Sequence, residues 1–286
     1  MASYRFCRSD DVPLLVQAHN ECFDPPGGAE PVDRDGFKRW IRVLELWTSS
    51  CMVATEGERL IGVLLAAKRE HDRESCVLAV GVHPEFRHLD HGRHMVTSLS
   101  QKLAILGPPK ICAEVPESNA RFCTFIEHCG FDAAERLVNY SLRPPHAAST
   151  MPAELVAEID LDELAGAGIP ESDATLPWGR TPASIVRRQE YFGSVRVFAV
   201  AGVDRFEAAV AVEEHGSVRE ILAVHLSGER AVPPAGRLLR HYAALDDSPL
   251  VWKGVHASEC SEERATAWGW ARGETTRRFE TVAVPA

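Results

Sequence analysis

Two glutamates are the groups best suited to proton transfer. Glu114 stands between Ala113 and Val115 in an apolar run over residues 110–115. A carboxylate on such a buried strand needs a cationic partner or keeps its proton to higher pH, and general bases draw on both states. Glu74 precedes a second apolar run, residues 77–82, at the end of the charged stretch 69–73, where a solvated hairpin charge is the competing reading. His88, His91 and His94 recur at intervals of three. No carboxylate or cysteine completes a ligand set at helical spacing, so they read as a polar loop and an exposed helix face, and no metal is expected. The eight cysteines form no C-x-x-C pair and mostly have apolar neighbours. They read as small buried side chains in a reducing compartment rather than disulfides or a zinc site.

The elements that must hold these groups follow from periodicity. A strand over residues 4–7 precedes Ser9-Asp10-Asp11, which caps a helix over 12–22. After Pro25-Pro26-Gly27-Gly28, the spacing of Phe37, Trp40, Ile41, Leu44 and Trp47 predicts an amphipathic helix over 35–47, with both tryptophans in the core. Residues 51–55 and 60–67 form a hairpin pattern. Then come a strand at 77–82, a glycine-bearing loop, a helix at 92–106, a strand at 110–115, a helix at 119–128 closed by Gly130, and a strand at 138–142. Residues 144–152 have the composition of a linker. Beyond them the pattern predicts helices at 153–165, 182–191, 236–244 and 262–271, and strands at 195–201, 208–213, 218–226, 250–255 and 279–284. Trp252, Trp268 and Trp270 are expected in the core, and Arg187-Arg188 and Arg277-Arg278 on solvated faces. The order of elements repeats, and 286 residues suffice for two cores, so two domains are expected, over 1–145 and 146–286.

Charge narrows the partners. With 31 Lys and Arg against 41 Asp and Glu, the net charge of -10 repels polyanions, so no nucleic acid is expected as a partner. No apolar run approaches membrane-spanning length, and the charged N-terminal residues leave no room for the apolar centre of a signal peptide. A cytoplasmic protein with no membrane partner, monomeric or homodimeric, is the expectation.

The segment from Val80 to Met95 resembles the acyl-CoA-binding signature of the GNAT acyltransferase superfamily, with Val82, Pro84, Arg87 and Gly92 at matching positions. Asp90 occupies the signature's first glycine, and aspartate tolerates the left-handed backbone that glycine favours. The segment from Asn119 to Phe131 resembles the family's N-x(10)-G-F pattern, with Ile126 where a proton-donating tyrosine often stands. Another donor, such as Cys123, Tyr140 or a water, is then required. The resemblance implies a tandem protein of α/β (α+β) class, each copy a mixed, mostly antiparallel sheet flanked by helices. Ile221 to His225 resembles Val80 to His83, and Gly236 resembles Gly92, with two extra residues in the intervening loop; residues 262–273 repeat the spacing of Asn119 to Gly130. Two prolines in the second loop remove N–H donors, which makes that copy degenerate.

The resemblance also implies acetyl-CoA or another acyl-CoA as co-substrate and direct transfer to a primary amine of a small molecule. Val80, Gly81 and Val82 would face the pantetheine and thioester. Arg87, His88, Leu89, Asp90, His91, Gly92 and Arg93 would surround the pyrophosphate at the start of the helix. Asn119 would contact the cofactor, and Glu114 or Glu74 would serve as base. The alternative is a non-catalytic or repurposed scaffold: an acyl-CoA-binding regulator, or an enzyme of different chemistry.

Overall fold

The computed structural model describes residues 1–23, 31–70, 72–143, 156–166, 176–202, 206–215 and 218–285. The loop at 25–28, the linker at 144–152 and the start of the helix expected at 153 lie outside them.

Two units form, Met1–Ala134 with Arg277–Ala286, and Glu135–Thr276. They differ from a cut at residue 145 because the last strand of each repeat serves the other unit's sheet. In the first unit β1 (Ala2–Phe6), β2 (Met52–Glu56), β3 (Arg59–Arg69) and β4 (Glu74–Val82) pair antiparallel in that order, and β5 (Lys110–Pro116) lies parallel to β4. Residues 277–282 of β12 (Ala271–Val282) follow β5.

Strand alternation gives this sheet two buried faces. One face carries Val77, Ile111, Ala113, Val115 and Phe279 against Met95, Leu99, Leu103 and Ile126 of α3 (His91–Leu106) and α4 (Ala120–His128). The other carries Val53, Val63, Leu65, Leu78 and Ala79 against α1 (Val12–Cys22) and α2 (Arg34–Val43). The second helix stops short of the expected residue 47. Leu44 caps it, Glu45 turns left-handed at φ 56°, and the Glu45 carboxylate accepts a bond from Arg69 Nε at 2.7 Å. Trp47 therefore leaves the core and is 41% exposed.

The second unit repeats the plan. β7 (Val156–Ile159), β8 (Val195–Ala201), β9 (Phe206–His215) and β10 (Val218–Leu226) pair antiparallel, β11 (Leu250–Val255) runs parallel to β10, and β6 (Asp132–Leu142) follows β11. Its faces are covered by α5 (Leu161–Gly166) with α6 (Pro182–Phe192), and by α7 (Val232–Ala243) with α8 (Glu262–Ala267). Residues 156–159, expected in a helix, form a strand instead, since pairing with residues 197–200 outweighs local propensity. Trp252, Trp268 and Trp270 are buried as expected.

The repeat is aligned by its irregularities. A register shift sets off Leu78 on β4 and another sets off Leu222 on β10. Leu78 precedes Gly92 by fourteen residues and Leu222 precedes Gly236 by fourteen, so the second loop has no extra residues. The two bulges, rather than the similarity of His225 to His83, set the correspondence. Likewise, Gly130 at φ 87° has its counterpart in Gly269 at φ 90°, four residues before the expected Gly273. Each ends a helix with an N–H directed back at it, to Glu127 and to Thr266.

Candidate active site

The two parallel strands of the first unit part company midway. Their register runs from Glu74↔Lys110 to Val77↔Ala113; beyond it β4 continues to Val82 and β5 to Pro116. The bulge at Leu78 coincides with this divergence. In the divergent half, Val80 and Val82 pack toward α3 and α4. Gly81 faces the other way, where a Cβ would lie 2.5 Å from the Phe23 ring.

A loop links β4 to α3. Arg87 Nε donates to the Val82 carbonyl at 3.0 Å, and His88 and Asp90 both adopt positive φ, 65° and 58°. Asp90 thus takes the left-handed conformation that aspartate tolerates, and it is the N-cap without a side-chain capping bond. The N–H groups of His91, Gly92 and Arg93 open the helix and have no partner inside it by construction. His88, Leu89, Asp90 and Arg93 are exposed; Gly92 is buried. A Cβ on Gly92 would lie 3.2 Å from the Phe125 ring and 3.6 Å from Val80, so its smallness lets the first turn of α3 seat on α4 and β4. His91 Nδ1 hydrogen-bonds Tyr4 Oη, and the Tyr4 ring lies 4.0 Å from that of His94. Among the described residues no group of three His, Cys, Asp or Glu side chains is arranged to hold a metal.

Glu74 and Glu114 meet at one cation. Arg278 on β12 donates to Glu74 at 2.7 Å, to Glu280 at 2.8 Å and to Glu114 at 3.4 Å. Lys110 pairs with Glu74 at 3.2 Å and Glu280 at 3.0 Å. Burial opposes the charge on Arg278, but Cys112 and the three carboxylates more than offset it, and the guanidinium holds its proton more firmly than usual. Glu280 has its carboxyl below the ordinary range: burial raises it, and hydrogen bonds from Arg278 and Lys110 lower it further. Glu74 sits where β4 and β5 are paired, whereas Glu114 is the first residue of β5 beyond the last pair. Arg278, expected on a solvated face, is only 5% exposed. Its alternation with buried Phe279 along a strand was the available signal.

The remaining candidates separate. Asn119 caps α4, its Oδ1 accepting from Phe122 N at 3.2 Å. Ile126 is wholly buried in the core beneath α4. Cys123 lies one turn earlier, its thiol directed at the Pro116 carbonyl at 3.7 Å and pushed up by burial, so it stays protonated at neutral pH. Tyr140 belongs to the core of the second unit. A group not singled out from sequence, His19 on α1, stacks on Phe23 at 4.7 Å and meets the Trp40 edge at 5.2 Å. Burial lowers its pKa despite a hydrogen bond to Asn20.

At the corresponding place in the second unit, β10 and β11 pair from Arg219↔Leu250 to Ile221↔Trp252. Just beyond, the Arg180 guanidinium donates to the carbonyls of Leu222 at 2.9 Å, Lys253 at 2.6 Å and Gly254 at 3.0 Å. Glu259 grips it with both oxygens, at 2.9 and 2.7 Å. Residues 232–234 correspond to the loop residues 88–90, but here they are wound into α7 and bring Pro233 and Pro234. A Cβ on Gly236 would lie 2.4 Å from Trp268, whose Nε1 donates to the Val232 carbonyl at 3.1 Å.

A parted pair of parallel strands beside the N-terminus of a helix, repeated within one chain, is the architecture of the GNAT acyl-CoA N-acyltransferase fold, and the chain has that fold in two copies. Residues 12–131 match the Acetyltransferase (GNAT) family. A GCN5-related N-acetyltransferase from Sphaerobacter thermophilus superposes with a TM-score of 0.67 at 14% identity, covering 100% of this chain and 96% of that one. A tandem GNAT protein from the clavulanic acid biosynthesis pathway gives 0.65 at 14% identity, with 100% of both chains covered. A GCN5-related N-acetyltransferase from Kribbella flavida gives 0.64 at 11%, covering 99% and 71%.

Proposed function

We propose that this protein transfers an acyl group, in the first instance acetyl, from acyl-CoA directly to a primary amine of a small molecule, using the first unit alone. The observation that carries this reading is the divergence of β4 and β5 after Val77↔Ala113, next to the opening turn of α3. The helix terminus offers N–H donors and positive potential to a pyrophosphate, with Arg87 and Arg93 beside it. The pantetheine arm then runs along Val80 to Val82, and the thioester carbonyl reaches backbone N–H groups of the divergent half of β4, which hold its oxygen as negative charge develops. Asn119 stands at the end of β5 for a further contact with the cofactor.

Glu114 is the base in this reading. It takes a proton from the bound ammonium, the amine nitrogen attacks the thioester carbon, and the C–S bond breaks as the tetrahedral adduct collapses. The nitrogen gives up a second proton, which ends on the departing CoA thiolate, with the Cys123 thiol as a relay. The first proton passes from Glu114 to solvent, so amide, free thiol and one proton are the products. Glu74 supports Glu114 through Arg278, and no metal takes part.

Titration of the full chain with acetyl-CoA by calorimetry, followed by thiol release over a panel of primary amines, tests this. One equivalent bound and amine-dependent release are expected. Absence of binding refutes transfer from CoA; binding without release from any amine favours the scaffold reading, to which the buried Ile126 lends support.

A further inference from the structure

The cation joining Glu74 to Glu114 comes from the far end of the chain. Arg278 is separated from Glu74 by 204 positions and from Glu114 by 164, yet it bonds both. β12 brings it to the sheet face that also carries Cys76 and Cys112, register partners on β4 and β5. The ionisable groups around Glu114 on these three strands are thus Glu74 and Cys76 of β4, Lys110 and Cys112 of β5, and Arg278 and Glu280 of β12. Glu74 and Glu280 share Lys110 as well as Arg278. The guanidinium links this anchored set to Glu114, at the point where β4 and β5 part.

We propose that Arg278 is a positioning residue for the transfer reaction, fixing Glu114 in place and in its charged form at the mouth of the cleft. The proposal rests on the transfer reading above. Arginine suits the task because one planar fork can hold several carboxylates in a fixed arrangement, which a lysine ammonium cannot reproduce. The catalytic competence of the first unit then depends on a side chain that the sequence places after the whole second repeat.

The test uses the full chain, acetyl-CoA, and as acceptor probes tyramine, spermidine, lysine and glucosamine, with thiol release as readout. For whichever probe reacts, Arg278→Gln is expected to lower kcat on the order of 10²-fold, the cost of a misplaced catalytic group, with KM for acetyl-CoA unchanged. Its kcat/KM profile should lose activity at a higher pH than the wild type on the acid side, because Glu114 without its cation takes up a proton more readily. Arg278→Lys keeps the charge but not the fork, so its acid limb should stay put while kcat remains depressed. An acid limb unmoved in Arg278→Gln, or wild-type kcat in Arg278→Lys, overturns the proposal; if the glutamine variant fails to fold, the lysine variant decides. A wild type that binds no acetyl-CoA, or releases no thiol with any probe, breaks the transfer reading and this proposal together. A wild type that turns over beside an Arg278→Gln variant with an unshifted profile breaks this one alone.

Discussion

The two copies place the same bulge, the same parting of parallel strands and the same left-handed glycine at matching positions, and finish them in opposite ways. In the first, residues 88–90 remain a loop and α3 opens with three N–H groups; in the second, the matching residues are wound into α7. Beyond the last β10–β11 pair, Arg180 supplies the backbone carbonyls with donors from inside the protein. Parallel strands that separate leave polar groups that must be satisfied somehow, by a ligand, by water or by a side chain. In the second copy that role falls to a side chain, since Arg180 donates to the carbonyls of Leu222, Lys253 and Gly254.

The contrast is sharpest at its glycines. Gly92→Trp should displace the first turn of α3 from Phe125 and Val80, and calorimetry should find no acetyl-CoA binding; retained affinity would show that this terminus is not the binding site. Arg180→Met should strike stability instead. It leaves the Glu259 carboxylate and three carbonyls without their donor, a loss of about 3 to 5 kcal/mol, and a fall in melting temperature on the order of 10 °C. Acetyl-CoA stoichiometry in whatever remains folded should still be one, and a second equivalent in the wild type would erase the distinction between the copies. Gly236→Ala forces a methyl group against Trp268 at a cost of about 1 to 3 kcal/mol, with acetyl-CoA affinity untouched.

The smallest effect is one of pH. Burial holds His19 of the first unit below its ordinary value of 6.5. Its folded pKa is the depressed one, so stability is present in full above 6.5 and declines as pH falls through the folded value. Denaturant midpoints between pH 5 and 8 should drop at the acid end, and His19→Gln should flatten the slope; an unchanged slope would assign the acid sensitivity elsewhere.

Sequence patterns identified most of what is local. The helix over 12–22, the glycine end of α4, and the strands from 195 to 255 stand close to expectation because periodicity acts over a few residues, although Asp11 at the N-cap of the first helix makes no side-chain capping bond and pairs with Arg5 instead. The start of α7 was obscured by prolines, which suit a helix's first turn as well as a loop. The opening of β12 was hidden by its run of charges at residues 272–278, which read as surface. The loop around Asp90 was legible from its motif, whereas the joining of Glu74, Glu114 and Arg278 was not. Nothing within a window of a dozen residues reports a partner two hundred positions away. Arg180, alone in a short 3-10 turn, gave no signal at all.

The strand exchange also has a meaning in time. Residues 1–134 leave the ribosome first, yet their sheet lacks β12 until residues 277–286 have been made. At about 5 to 20 residues per second, that is a wait of roughly 8 to 30 s with the edge of β5 uncovered. The second unit, supplied with β6 before its own repeat begins, has its full set of strands on hand when its last residue is made. The usual order of synthesis is inverted: of the two units, the one made first is the last to be completed, and loss of residues 277–286 takes a strand from the unit of residues 1–134 rather than from its neighbour.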